Sequence, residues 1–327
     1  MQSTQPSDPA LALIVIVNYR TGRLVVDCLR SLVSEVRGRP GTRVVVVDNQ
    51  SGDDSVKVLH EAIDEFGWSD WVSLTVAPRN GGFAYGNNLS IRKALATESP
   101  PAYYWLLNPD TQVRPGALSA LTGFLDRNPA VGVAGGMLEE SDGSPWPFAF
   151  RFPSVLSELE RGMRLSVVTR LLARWRVVHE MDARDAEVDW VCGANMMVRR
   201  QVFDSVGLMD EKYFLYFEET DFCLQAKRAG WASWYVPSCR VMHIAGQSTG
   251  LTGEHVALRR MPTYWFDSRR RYFLKNHNRA YAIAADLAWI VSFFTYQVRK
   301  RVQRKQDFDP PRLLSDFIRN SSLLNWG

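Results

Sequence analysis

Tyr103-Tyr104-Trp105-Leu106-Leu107-Asn108-Pro109-Asp110 is an apolar run that stops on a proline and delivers one carboxylate. Pro109 has no N–H to give a strand ladder and cannot continue a helix, so a strand ends there with Asp110 at its carboxyl end. In open α/β sheets, ligands collect at the carboxyl ends of strands, and an oxygen ligand there suits a hard divalent cation holding phosphates. Taken alone, Asn-Pro-Asp also makes an ordinary turn.

Outward from that strand, the first 138 residues alternate strands and helices. Leu11 to Tyr19 is a nearly continuous apolar run, the pattern of a parallel strand buried on both faces. Leu24 to Val36 sets Leu24, Val25, Cys28, Leu29, Leu32, Val33 and Val36 on one helical face. Val44 to Val47 is a second buried strand leading into Asp48-Asn49-Gln50-Ser51, and Asp53 opens a helix through about Phe66. Trp71 to Ala77 reads as a third strand and Phe83 to Ala96 as the next helix. Beyond Asp110, Pro115 starts a helix at a favoured position and Val131 to Val133 begins a fifth strand. This βαβαβαβαβ series predicts an α/β fold, a doubly wound and mostly parallel sheet flanked by helices. After Leu138 the pattern loosens around Pro145, Pro147 and Pro153. Val155 to Trp175 reads as helical, Asp189 to Arg199 as strand-like, Glu218 to Ala229 as helical and Ala232 to Ile244 as extended. From about His255 the chain is helical and basic.

The chain has 327 residues, 46% hydrophobic and 23% charged, which suits a soluble globular protein with a sizeable core. A net charge of +4 is too mild to argue for nucleic acid as a partner, but Arg and Lys cluster towards the C-terminus. Cys28, Cys192, Cys223 and Cys239 form no CxxC pair and read as reduced and buried, consistent with cytoplasm. Met1 to Pro9 is polar without a basic n-region, the composition of a short disordered lead and not of a signal peptide.

Three strand ends in the first half carry polar groups: Asn18-Tyr19, Asp48 and Asp110. Between the last two lies Arg79-Asn80-Gly81-Gly82-Phe83-Ala84-Tyr85-Gly86-Asn87-Asn88, whose glycines permit close backbone approach and whose helix N-terminus could face phosphate. The segment is not GxGxxG, and no glycine-rich turn follows the first strand, which argues against a dinucleotide-binding fold. A tight loop without a ligand explains the same residues. Tyr213-Phe214-Leu215-Tyr216-Phe217 runs into Glu218, Glu219 and Asp221 at a helix start. Acids there favour the helix dipole, and Glu219 beside aromatics is also a candidate general base whose pKa burial could raise. His243, between an extended segment and a Gly/Ser/Thr loop, is a candidate metal ligand, although most lone histidines are not.

In order and spacing these elements resemble the family-two inverting glycosyltransferases with a GT-A fold, and within them the rhamnosyltransferase-like branch. The resemblance runs from about Ala12 to Gly250. It rests on Ile16-Val17-Asn18-Tyr19, Val47-Asp48-Asn49-Gln50-Ser51, Asn80-Gly81-Gly82-Phe83-Ala84, Leu107-Asn108-Pro109-Asp110, Asp189-Trp190-Val191-Cys192-Gly193-Ala194, Phe214-Leu215-Tyr216-Phe217-Glu218-Glu219-Thr220-Asp221 and His243.

The resemblance implies a nucleoside-diphosphate sugar bound across the first half, with dTDP-rhamnose favoured and a UDP-sugar as the second option. Asn18 and Tyr19 would line the base pocket, and Asp48 would accept a hydrogen bond from the pyrimidine imide. Asn80 and Gly81 would approach the ribose or diphosphate. Asp110 stands for the last acid of the family's DxD motif and, with His243, would hold Mg²⁺ or Mn²⁺. The first position of that motif is Asn108, which the rhamnosyltransferase-like branch commonly carries. Trp190 and Gly193 would shape the floor under the sugar. Glu219 aligns with the acid usually assigned as base, where many relatives have Asp. The acceptor would be a glycan or lipid-linked saccharide. The implied organisation is a lead over 1–10, a GT-A domain over 11–250 divided after residue 138, and a helical extension over 251–327.

Within that extension, Ala280 to Phe294 is apolar and flanked by Arg269-Arg270-Arg271 and Arg299-Lys300-Arg301. Asp286 inside it makes a spanning helix costly. A helix packed on the domain, a homo-oligomer contact and a peripheral helix at the inner face of the cell membrane all fit the pattern. For the chain as a whole, a nucleotidyltransferase on a similar sheet and a non-catalytic sugar-nucleotide scaffold are the competing readings.

Overall fold

The computed structural model describes residues 12–244 and 259–325. The expected lead over 1–10 and the expected boundary at residue 250 lie outside the described residues. The first half folds as β1 (Ala12–Asn18), α1 (Gly22–Gly38), β2 (Arg43–Asp48), α2 (Ser55–Glu65), β3 (Val72–Val76), α3 (Gly82–Leu95), β4 (Tyr103–Leu107), β5 (Thr111–Val113), α4 (Ala117–Arg127) and β6 (Val131–Glu139). There follow β7 (Pro145–Trp146), β8 (Phe148–Phe150), α5 (Val155–Met163), α6 (Ser166–Leu171), β9 (Val178–Glu180), β10 (Ala186–Val188) and β11 (Asn195–Arg199). The remainder is α7 (Arg200–Val206), α8 (Glu218–Arg228), β12 (Ala232–His243), α9 (Thr263–Asn276), α10 (Arg279–Val302) and α11 (Leu313–Arg319).

The main sheet runs β10-β12-β6-β11-β4-β1-β2-β3. Strands β3, β2, β1 and β4 are parallel, and β12 is parallel to β6, while β11 enters antiparallel between β4 and β6. Alternation along β1 sends Ile14 and Ile16 to a core under α1, α2 and α4, and Leu13 and Val15 to a core under α3, α7 and α8. Burial on both faces is why the parallel strands read as continuous apolar runs. Register then sets the strand ends: Asn18 pairs with Asp48, and His243 pairs with Thr111, the neighbour of Asp110.

The C-terminal helices pack on α5 from the second half. Arg269 of α9 donates to Glu158 of α5 at 2.9 Å and to Asp286 of α10, all three buried. Asp286, the residue that makes a spanning helix costly, is therefore an internal ion-pair partner.

Three local expectations need correction, and one strand comes in addition. Val155 to Trp175 is not one helix: Arg164 turns left-handed at φ 47° and ends α5, where its guanidinium reaches Asp309 at 2.6 Å. Asp189 to Arg199 is strand only from Asn195, and the preceding residues form a connector carrying Gly193. The helix expected at Pro115 begins at Ala117, after a left-handed Gly116. Strand β5, unforeseen, pairs with β12 and brings His243 beside Asp110.

Candidate active site

The carboxyl ends of β1, β2 and β4 form one polar rim. At its centre Asn18 donates to Asp48 Oδ2 at 2.7 Å, while Ser51 gives its backbone N–H to Oδ1 at 3.0 Å and its hydroxyl to Oδ2 at 2.5 Å. The Asn18 carbonyl oxygen accepts from the Thr21 amide at 3.1 Å and hydroxyl at 2.9 Å. Asn18 is 0% exposed and its carboxamide is engaged within the protein, so it braces Asp48 instead of presenting an open face. Tyr19 does line an open pocket.

That pocket, of about 330 Å³, is walled by Val17, Tyr19, Asn80, Phe83, Phe214 and Tyr264 among others. Asn80 Oδ1 accepts from Asn49 at 3.0 Å and from the Gly82 amide at 3.1 Å, which holds the glycine loop in its bend. Gly82 sits at φ +86°, and a Cβ there would meet the Phe214 carbonyl oxygen at 1.8 Å. The Phe83 amide donates to that same carbonyl at 3.0 Å. The glycine run thus lets α3 dock on the aromatic segment before α8. Gly81 lies just ahead of Gly82 at the start of α3.

Asp110 is buried at the end of β4, with Oδ1 at 3.3 Å from His243 Nε2. Asn108 Nδ2 lies 3.3 Å from the same ring nitrogen. Among the described residues, Asp110 Oδ1 has no hydrogen-bond partner, because the His243 contact lacks hydrogen-bond geometry. A buried carboxylate oxygen in that condition, beside an imidazole nitrogen, fits a divalent cation whose other ligands come from phosphate and water. Among the described residues two such side chains meet here, and no cluster of three potential metal ligands is found.

Across the 190–194 connector stand Glu218 and Glu219. Glu218 is 3% exposed, and its Oε2 and the Glu219 Oε2 both lack partners among the described residues. Burial raises the pKa of both, and the nearby Glu219 charge raises Glu218 further. Backbone hydrogen bonds at Glu219, Gly193 and Thr220 oppose the rise at Glu219, and one at Glu218 opposes it there. The third acid, Asp221, is structural: Lys275 reaches it at 2.6 Å and Asn276 at 2.7 Å, tying α8 to α9.

Gly193 faces Phe83 and Glu219, where a Cβ would lie 3.1 Å from the Phe83 ring. Trp190 turns the other way, stacked on Phe150 at 4.2 Å with its N–H donating to the Arg151 carbonyl at 3.0 Å. Cys192, expected to be buried, is half-buried as a free thiol; it feels the charges of Glu219 and Asp110, and desolvation pushes its thiol up to about 12, far from a nucleophilic thiolate. Tyr264 was missed, and Phe214, quoted within the aromatic run, was given no place in the pocket. Tyr264 opens the aromatic run Tyr264-Trp265-Phe266 in the C-terminal third, and nothing local marks its return to the pocket. Backbone strain does mark the region: Arg20, Gln50, Tyr216 and Phe217 all have positive φ.

The sequence matches the family described as "Glycosyltransferase like family 2" over residues 9–261. The chain belongs to that family. This glycosyltransferase is 30% identical over 267 residues to the N-acetylglucosaminyl-diphospho-decaprenol L-rhamnosyltransferase of Mycobacterium tuberculosis, covering 77% of this chain and 82% of that one. It is 24% identical to the rhamnosyltransferase WbbL of Escherichia coli K12, over 82% and 86% of the two chains. Its fold is that of the GT-A glycosyltransferases. It superposes on the mannosyltransferase PcManGT of Pyrobaculum calidifontis, solved with GDP-Man and Mn²⁺, at a TM-score of 0.54 and 14% identity, covering 95% and 82% of the chains. It also matches GalNAc-T7, solved with UDP, GalNAc and Mn²⁺, at a TM-score of 0.55 and 15% identity, spanning 96% of this chain and 55% of that one.

Proposed function

We propose that this glycosyltransferase moves rhamnose from dTDP-rhamnose, with a UDP-sugar as the second candidate donor, to a hydroxyl of a lipid-linked saccharide by inverting single displacement. One observation carries the chemistry. A buried carboxylate, Glu219, lies beside Gly193 of the 190–194 connector, and Cys192 of that connector is close enough to feel the charges of both Glu219 and Asp110, the partner of His243. The names of the mycobacterial and E. coli relatives support rhamnose, and the mycobacterial name supports a diphospho-polyprenol-linked acceptor.

The donor's nucleoside fits the pocket at Tyr19, Asn80 and Phe83, with Asp48 held in place beneath by Asn18 and Ser51. Asp110 and His243, steadied by Asn108, are the residues that would hold Mg²⁺ or Mn²⁺, which when bound neutralises charge on the departing diphosphate. Gly193 leaves room for the sugar in front of Glu219, and Trp190 backs the connector from its far side. Glu219 takes the proton of the acceptor hydroxyl as that oxygen bonds to the anomeric carbon. The bond from that carbon to the phosphate oxygen breaks, and the nucleoside diphosphate leaves with the electron pair. Attack opposite the leaving group inverts the anomeric centre.

The test is a transfer assay with a panel of nucleotide sugars, Mg²⁺ or Mn²⁺ and a polyprenyl-diphospho-GlcNAc acceptor. Glu219→Gln should lower kcat by about 10²–10⁴ while leaving donor binding intact. Asp110→Asn should weaken Mn²⁺ binding measured by calorimetry. Undiminished turnover in both variants with the preferred donor would sink the assignment.

A further inference from the structure

We propose that one face of α10 rests on an anionic lipid bilayer, with the helix lying flat. By length and composition α10 could cross a membrane, with a mean hydropathy of 1.2 over its most apolar window. Its packing excludes that orientation. Ala282, Ala285, Trp289 and Phe293 are buried, Trp289 stacks on Phe317 of α11 at 3.9 Å, and Asp286 is locked to Arg269. The opposite face stays uncovered. Leu287, Val291, Phe294, Val298 and Val302 fall within roughly a quarter of the helix circumference at about 100° per residue. Their exposure runs from 45% at Leu287 through 59% at Val291 to 78% at Val302.

Charge selects the occupant of this stripe. Arg301, Arg304 and Lys305 flank its C-terminal end, are exposed and make no side-chain ion pair or hydrogen bond among the described residues. The nearest acids are already engaged, Asp307 by Lys300 at 2.6 Å and Asp309 by Lys300 at 2.8 Å and by Arg164 at 2.6 Å. A second apolar set, Leu165, Val167 and Leu171 at α6, is exposed next to Arg170. It adjoins the same end of α10, because Arg299 donates to the carbonyls of Met163 and Arg164 where α5 hands over to α6. A second copy of the chain would bring these cations against their own kind. Anionic headgroups over acyl chains satisfy both the apolar stripe and the cations.

The experiment is vesicle flotation with the full chain, using phosphatidylcholine alone or with about 30% phosphatidylglycerol to supply anionic charge. The wild type should float with the mixed vesicles and not with phosphatidylcholine alone. Arg301→Gln with Arg304→Gln and Lys305→Gln should weaken binding about 100-fold. Val291→Ser with Phe294→Ser should weaken it roughly tenfold or more. Both variants alter exposed positions, and unchanged circular dichroism and Tm would show that the fold is kept. No affinity of the wild type for anionic vesicles at low salt, or equal affinity of both variants and the wild type, overturns the proposal. So does a dimer in ultracentrifugation that the Val291/Phe294 variant abolishes, since that gives the stripe to a second copy. Neither donor nor acceptor enters the assay, so its outcome is independent of the transferase reading.

Discussion

Replacing Gly82 with alanine puts a methyl group where the Phe214 carbonyl oxygen already lies, 1.8 Å from the added carbon. The site combines three penalties. A side chain at φ +86° is in left-handed territory, which costs about 1–2 kcal/mol for a non-glycine residue. Moving the backbone aside is an overpacking change of about 1–3 kcal/mol. The bond from the Phe83 amide to the same carbonyl is lost or stretched, for about 1 kcal/mol more. The total expected is about 3–6 kcal/mol. Gly52 supplies the control, because it has φ +68° with nothing within 4 Å of its added Cβ, so alanine there meets the backbone penalty alone. Urea unfolding followed by circular dichroism should separate Gly82→Ala from Gly52→Ala by at least about 2 kcal/mol. A shift of Phe214 also displaces Tyr216, Phe217 and the acids that follow, so Gly82→Ala should lose transfer activity under conditions where it is still folded. Equal stabilities for the two variants would refute the contact between the glycine loop and the aromatic segment as a constraint on the site.

Glu218 and Glu219 are held above the ordinary glutamate range, so ionising them is costlier in the folded chain than in the unfolded one. Their share of stability is complete below that range and falls as pH rises through the raised values, so Glu218→Gln should raise Tm by roughly 2–4 °C near pH 8 and leave it unchanged near pH 4. For the same reason, the acid limb of kcat/KM should lie above the ordinary glutamate range and vanish in Glu219→Gln, read from a pH–rate profile. Arg269→Met leaves the buried Asp286 carboxylate without a cation, while Glu158 keeps Arg161 at 2.8 Å, and should cost about 3–5 kcal/mol in urea unfolding. Adding Glu158→Gln and Asp286→Asn should recover part of that loss. Chelation with EDTA should abolish transfer by the wild type, and Mn²⁺ should restore it, if Asp110 and His243 hold the ion as proposed.

The alternation of strand and helix through residue 138 was legible because each parallel strand is buried on both faces and each helix on one. Those constraints write period and polarity directly into the chain. The strand ends were legible for the same reason, since Asn18, Asp48 and Asp110 each interrupt an apolar run. Beyond Leu138 the cues weaken. Arg164 ends a helix in a left-handed turn with no glycine to signal it, and β5 is three residues long. The glycine run drew attention as a phosphate loop, yet Gly82 meets a backbone 132 residues away in sequence, at Phe214.

By itself the sequence determined the succession of strands and helices through residue 138, a mostly parallel sheet and the set of polar groups at its strand ends, because burial repeats at fixed local spacing. It also carried the ordered motifs that mark a glycosyltransferase. Tertiary structure alone decided how those groups divide their labour. Asn18 and Asp221 became internal braces, Glu219 drew backbone hydrogen bonds from Gly193 and Thr220, and Tyr264 closed a pocket from the far end of the chain. It also decided that α10 packs one face and exposes the other. Such assignments depend on which atoms meet across long separations in sequence, and no local period encodes that meeting.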